Sequence, residues 1–310
     1  MQTAPNATTA SDLVTGSLSY IDTLVGNATS QGLYRITCDG SLMNDEMMSD
    51  LIDNYGYSVN KYTDDNFGSF PRYVVEWDNS VYIPNIILTY DFGVELSTVS
   101  GTQVSDTIGN SNATLHNNPS YTSGDEGYVT FVGGSSQYMI NNDDIGGYFS
   151  GTNPNKSTSI TFSMWIYPTG NGVVLNEVSL DGYHNSVIEI VSGQFRFGFW
   201  KPSGGLTVMN SNITTPFNRW YHVVLTYDGT TMTGYINNVS VCSTTTTRLG
   251  FYNLSPARAL YYAVGAAEST NFGDGSYGDF RLGVFEILDG PLSSAQVSNR
   301  FKFYRDRFGV

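Results

Sequence analysis

The feature that most constrains this chain is the texture of residues 85–288. Short alternating or wholly apolar runs recur there, punctuated by Gly, Asn, Asp and Ser. They fall at 86–90, 128–132, 160–167, 173–178, 187–191, 194–200, 221–227, 233–236, 261–264 and 282–288. A period of two residues places successive side chains on opposite faces of a strand. Many such strands without intervening helical patterns predict an antiparallel sandwich or jelly roll. The 22 Tyr and 17 Phe need burial, which excludes a disordered chain. Asp228-Gly229 supplies a hairpin turn. Trp165 and Trp220 are expected to fill the space between two sheets, and with His222 they read as structural.

The first 84 residues have a different texture. Residues 1–29 read as a polar arm followed by a short helix, with Val14, Leu18, Ile21 and Val25 at helical spacing. Residues 30–80 read as a β-α-β-β module. Its strands are expected at 33–38, 57–62 and 73–77, and its helix carries Met43, Met47, Leu51 and Ile52 before the stop at Gly56. The polar stretch 78–84 ends in Pro84 and marks a boundary, so the larger domain is expected over 85–310. A closing helix is expected over 293–308. Ser293 and Gln296 have capping-box spacing, and Val297, Phe301, Tyr304 and Phe308 form its apolar stripe. Arg300, Lys302, Arg305 and Arg307, with Arg281 upstream, give a basic tail. It reads as dipole complementation and solvation, with a docking element as the alternative.

The net charge of −14 arises from 14 basic against 28 acidic residues. Nucleic acid is excluded as a partner because phosphate neutralisation needs clustered bases, and anionic membrane surfaces are disfavoured for the same reason. Cys38 and Cys242 read as free thiols. His116, His184 and His222 are too scattered for a zinc site. The opening residues lack a basic segment followed by an apolar one, and no apolar run approaches the roughly 18 residues of a membrane span. A soluble protein made in a cytoplasm is therefore expected.

Several stretches resemble the laminin-G-like, concanavalin A-like lectin jelly roll found in tailed-phage virion proteins. They are SITFSMWIYP at 159–168, NRWYHVVLTYDG at 218–229 with the returning GYINN at 234–238, and the openings at 88–93, 106–110 and 130–134. The closing helix with its Arg307-Phe308-Gly309 tail resembles virion versions of this domain. Gln31–Ile36 and Asp53–Val59 resemble a small module preceding such domains. The resemblance implies a virion structural protein displayed on the particle, as a head decoration or appendage or a tail-fibre component. It implies major capsid or fibre proteins as partners, a homo-oligomer, and adhesion to host glycans. A stand-alone carbohydrate-binding module or adhesin is the alternative, and a glycoside hydrolase the third reading.

The family often holds a calcium ion with a carboxylate in the strand before the closing helix, where this chain has Val284. Asp91 and Asp279 remain as candidate oxygen ligands; otherwise no cofactor is expected. No catalytic residues are assigned. Retaining hydrolysis needs two carboxylates about 5.5 Å apart, whereas Glu189 has no second acid at i+2 or i+4 and the other acids are scattered. For a glycan, aromatic faces beside polar tips are the expected chemistry. The candidates are Tyr183, His184 and Asn185 in one loop, Trp200 and Lys201 in another, and Phe272 with Asp274 in a third.

Overall fold

A computed structural model describes residues 35–39, 58–62, 72–76, 86–93, 99–124, 126–146, 159–179, 184–248, 259–266 and 277–310. Of residues 35–39, 58–62, 72–76 and 184–186 the backbone alone is described. The chain divides into two units, Met1–Ile83 and Pro84–Val310.

In the first unit, β1 (Arg35–Asp39), β2 (Ser58–Tyr62) and β3 (Arg72–Glu76) form an antiparallel sheet in the order β1-β3-β2. These are the three strands expected of the small module. The two helices expected at 11–25 and around Met43–Gly56 lie outside the described residues.

The second unit is a sandwich of two antiparallel sheets. One sheet contains β5 (Val99–Ser100), β6 (Gln103–Val104), β7 (Ala113–His116), β10 (Tyr138–Asn141), β12 (Gly172–Val178), β13 (His184–Val191), β14 (Gln194–Trp200), β15 (Leu206–Asn210) and β19 (Tyr261–Val264). Its order is β15-β14-β13-β12-β19-β10-β7-β6-β5. The other runs β18-β17-β16-β11-β20-β9-β8. Its strands are β8 (Ser120–Thr122), β9 (Tyr128–Phe131), β11 (Ile160–Pro168), β16 (Tyr221–Tyr227), β17 (Thr231–Ile236), β18 (Val239–Thr245) and β20 (Phe280–Leu288). A further strand, β4 (Ile86–Asp91), pairs with the Val284–Leu288 half of β20, while β9 pairs with its Phe280–Leu282 half. The two strands thus share one edge of β20 end to end.

Alternation explains the core. Phe162, Met164 and Ile166 of β11, Val223 and Leu225 of β16, and Phe195, Phe197 and Phe199 of β14 all enter the main apolar cluster. A continuous inward row, Met209, Phe197, Ile188, Leu175, Val264, Met139 and Leu115, crosses the nine-stranded sheet in register.

The remaining alternate positions of the eight-stranded sheet face outward, yet many are buried. The helix α1 (Ser294–Arg305) covers them. Its start is fixed by a full capping box: Ser293 Oγ accepts from Gln296 N, and Gln296 Oε1 accepts from Ser293 N at 2.8 Å. One outer cluster joins Trp165, Trp220 and Val284 to Tyr304 and Phe308; another joins Val224, Tyr235 and Leu288 to Leu292 and Val297. This corrects the expectation for the two tryptophans. Trp165 lies on the outer face because its neighbours Met164 and Ile166 take the inward positions, and its ring stacks on Phe308 at 4.7 Å and Phe301 at 5.8 Å. Both tryptophans are buried structural residues, but beneath the helix rather than between the sheets.

The tail bases need the same correction. Arg300 donates to both carboxylate oxygens of Glu286, at 2.7 and 2.6 Å, and Arg307 donates to Asp91 at 2.6 Å. Both acids are buried on the sheet, so these arginines bolt the closing segment down instead of lying in solvent. Lys302 and Arg305 do stay exposed. Among the described residues, no helix is long and apolar enough to cross a membrane.

Candidate functional site

The expected site residues converge, in part, on one end of the nine-stranded sheet. The hairpin of β13 and β14 turns at Ser192-Gly193, both at positive φ. The first residues of β13 and the last of β14 therefore lie together at the opposite end. His184 and Asn185 are consequently not loop residues: they open β13, in register with Val178 and Glu177 of β12. Trp200 ends β14, half-buried and paired with Leu206. Lys201 then closes a turn in which its N–H donates to the Gly205 carbonyl at 3.0 Å, and its carbonyl accepts from Gly204 N at 3.0 Å. Gly204 and Gly205, at φ 86° and 83°, hold a conformation that side chains disfavour. Tyr183, Phe272 and Asp274 lie outside the described residues.

Three residues at this end were not anticipated. Tyr261 opens β19 opposite Val178, the same residue that pairs with His184. Its phenol is pushed up by burial and then by Asp144 and Asp143, so it remains a proton donor beside two carboxylates. Asp144 Oδ1 accepts from Leu260 N and Gly146 N, both at 2.8 Å. Ser111 Oγ donates to Asp143 Oδ2 at 3.1 Å. The signal for Tyr261 was present in the sequence: in Tyr261-Tyr262 the second ring enters the core, which sends the first to the other face. The end of this sheet thus offers ring faces, an ammonium and carboxylate acceptors, the groups that grip a sugar's C–H face and hydroxyls.

Four acids, Glu177, Glu286 and Asp91, which are buried, and the half-buried Glu189, are arranged differently from a hydrolytic pair. Glu177 lies between the sheets with Arg248 and accepts from the Tyr262 hydroxyl at 2.7 Å. Glu189 is held by Arg196, Glu286 by Arg300 and Asp91 by Arg307. Each carboxylate faces a guanidinium rather than a second carboxylate. Asp279 is a turn acceptor: its Oδ1 takes Gly133 N at 2.8 Å and its carbonyl takes Thr169 N and Gly170 N.

The residues present do not fit the family's calcium site. Val284 packs in the apolar cluster under the helix, and at Asp91 the positive charge is supplied by Arg307. Among the described residues, no group of three or more His, Cys, Asp or Glu could hold a metal ion.

Among the described residues there is one Ser–His contact: Ser163 Oγ and His222 Nε2 are 3.1 Å apart, but the pair is buried beneath α1 and His222 Nδ1 has no partner among those residues. A nucleophile needs a base oriented through that second nitrogen and an open approach. This pair has neither.

Comparisons with known proteins agree with the architecture. Residues 133–298 match the model of the family described as the concanavalin A-like lectin/glucanases superfamily. No curated protein sequence matches the chain. Among solved structures, the binding domain of Paraclostridial Mosquitocidal Protein 1 is similar at 17% identity and a TM-score of 0.51, over 71% of this chain and 52% of that one. The binding domain of botulinum neurotoxin serotype D/C is similar at 16% identity and a TM-score of 0.50, over 70% of this chain and 52% of that one. A Trypanosoma rangeli sialidase is similar at 12% identity and a TM-score of 0.50, over 81% of this chain and 43% of that one. The chain therefore spans about half the length of the solved chains it matches.

Proposed function

The chain belongs to the concanavalin A-like lectin/glucanases superfamily, and from that premise we propose that it is a non-catalytic, lectin-like module of a virion surface protein that adheres to host-cell glycans. The observation that carries the glycan reading is the shared end of the nine-stranded sheet, where Trp200 and Lys201 sit at the end of β14 and Tyr261 stands on β19, beyond β13 and β12, beside Asp143 and Asp144. Ring faces bind the apolar face of a pyranose, and the carboxylates and ammonium bind its hydroxyls. The two toxin domains that share the fold are binding domains by name, which agrees with a binding role. Against catalysis stands the pairing of Glu177, Glu189, Glu286 and Asp91 with arginines, because a charge-paired carboxylate is a poor general acid.

The virion placement rests on the resemblance of the strand and tail motifs to tailed-phage surface domains. It carries with it capsid or fibre proteins as partners, a homo-oligomer and assembly in the host cytoplasm. Repetition on a particle would convert weak single contacts into avid adhesion.

A glycan array followed by calorimetry tests the first part. Trp200→Ala is expected to weaken binding by about tenfold, since a sugar–ring contact is worth about 1–2 kcal/mol, with a cooperative melt showing that the variant is folded. Absence of any glycan ligand overturns the reading. Mass spectrometry of purified particles tests the second part; absence of the chain from virions removes it.

A further inference from the structure

We propose that the outer face of the eight-stranded sheet, beyond the end of α1, carries a second subsite in which Arg281 binds the carboxylate of an acidic sugar. This deepens the glycan reading above and rests on it.

Arg281 lies on β20 between two neighbouring strands. Its guanidinium carbon is 4.8 Å from the Tyr128 ring centre on β9 and 4.7 Å from the Tyr167 ring centre on β11. Both rings are themselves braced by Trp220, at 6.1 and 5.6 Å. The inward neighbours Phe280 and Leu282 belong to the core, so Arg281 points outward, half-exposed. Among the described residues, the other arginine side chains are engaged. Arg196, Arg248, Arg300, Arg305 and Arg307 pair with carboxylates, and Arg219 donates to the Tyr221 hydroxyl. Among the described residues Arg281 has only its two rings, and with Arg219 it is one of two arginines there that face no carboxylate.

The physical consequence is preorganisation. Contact with two tyrosine rings restrains the guanidinium, and its N–H groups, which rings do not saturate, can serve a ligand. That fork matches a planar carboxylate in two parallel hydrogen bonds. The surroundings suit a sugar. Ser120, Thr130, Arg281 and Tyr167 follow one another in register across β8, β9, β20 and β11, which lines hydroxyls beside the cation and a ring. The acidic body repels a polyanion, so the fit is to one carboxylate per subsite, as a sialic or uronic acid presents.

The test uses the full chain and calorimetry with 3′-sialyllactose, a glucuronate-terminated oligosaccharide, lactose, and the methyl ester of sialyllactose. Binding of at least one acidic sugar is expected, with the ester or neutral counterpart at least about tenfold weaker. Arg281→Gln is expected to abolish that preference. Arg281→Lys keeps the charge but loses the fork, and should also lose at least about tenfold. Urea denaturation of both variants checks that the fold is intact, and Ser120→Ala offers a milder change on the same row. Equal binding of acid and ester, or unchanged acid binding in both arginine variants, overturns the proposal. If glycans bind but respond only to Trp200→Ala, this inference fails and the broader reading survives. If no glycan binds, both fail. Binding of a glutamate-rich peptide at Arg281 in preference to any sugar assigns the site to a protein partner and overturns it too.

Discussion

A methyl group added at Gly283 would stand 2.5 and 2.6 Å from ring carbons of Phe308 and 3.3 Å from Trp220. The β11–β20 register shifts between Trp165 and Ile166, so Gly283 is an extra residue on β20, and the last aromatic of the chain sits over it. Gly283→Ala is expected to lower stability by about 1–3 kcal/mol, because the ring must leave its seat. Urea denaturation would check it. His222 gives a second prediction at this scale. Burial first, and then the charge of Arg300, lower its pKa from 6.5 to about 3. The folded state therefore favours the neutral ring. The native protein holds its full stability from this group above pH 6.5 and loses it progressively as the pH falls toward 3. Each unit in that window costs about 1.4 kcal/mol, so about 2 kcal/mol is expected to be lost between pH 6.5 and pH 5. In His222→Gln the acid limb of the stability curve should flatten, measured by denaturation at several pH values. An unchanged limb would assign the acid sensitivity to other groups.

The helix α1 is the element whose attachment is most exposed to test. Arg300→Ala leaves Glu286 buried without its guanidinium and is expected to cost about 3 kcal/mol. Arg300→Met combined with Glu286→Leu should recover much of that loss, because both charges are then gone. Thermal melts of the three proteins would separate the outcomes. The helix was legible in the sequence because the Ser293 to Gln296 capping box and the stripe of Val297, Tyr304 and Phe308 agree. Its partner face was not. A period of two tells which residues of β11 share a face, but not that a helix 130 residues later covers the face of Trp165. Strands with long alternating apolar runs, such as β14 and β16, were read with their observed bounds. The short or edge strands β5–β8, β10, β15 and β18 were missed, because Ser, Thr and Asn fill positions that face solvent and mimic a loop. Of the candidate site, Trp200 and Lys201 were legible as an aromatic and a base before a Gly-Gly turn. Tyr261 and Asp144 were not, since the sheet order β12-β19-β10 that unites them joins segments far apart in sequence. Arg281 was read only as part of a basic tail, because its aromatic neighbours come from two other strands.

At the scale of the whole molecule, the larger unit has a core of its own. Among the described residues, its main apolar cluster draws on residues from Ile87 to Ile287, and the outer clusters join further residues of the same unit, from Ile86 to Phe308. Residues 84–310 are therefore expected to fold as a separate unit, with a cooperative melt and a near-ultraviolet circular dichroism spectrum dominated by its buried rings. Loss of the tertiary signal in that fragment would show that the first 83 residues contribute to the core.

β20 sits between β11 on one side and β4 and β9 on the other, and Arg307 fastens to Asp91, 216 positions earlier. On a ribosome, the first strands of that layer must wait as separate flaps while nearly two hundred further residues are made. Their oily edges are bare until the final stretch slides in and zips the seam. Such a chain pays for its architecture in time, and a stalled or shortened transcript would yield a sticky, unclosed product rather than a smaller working one.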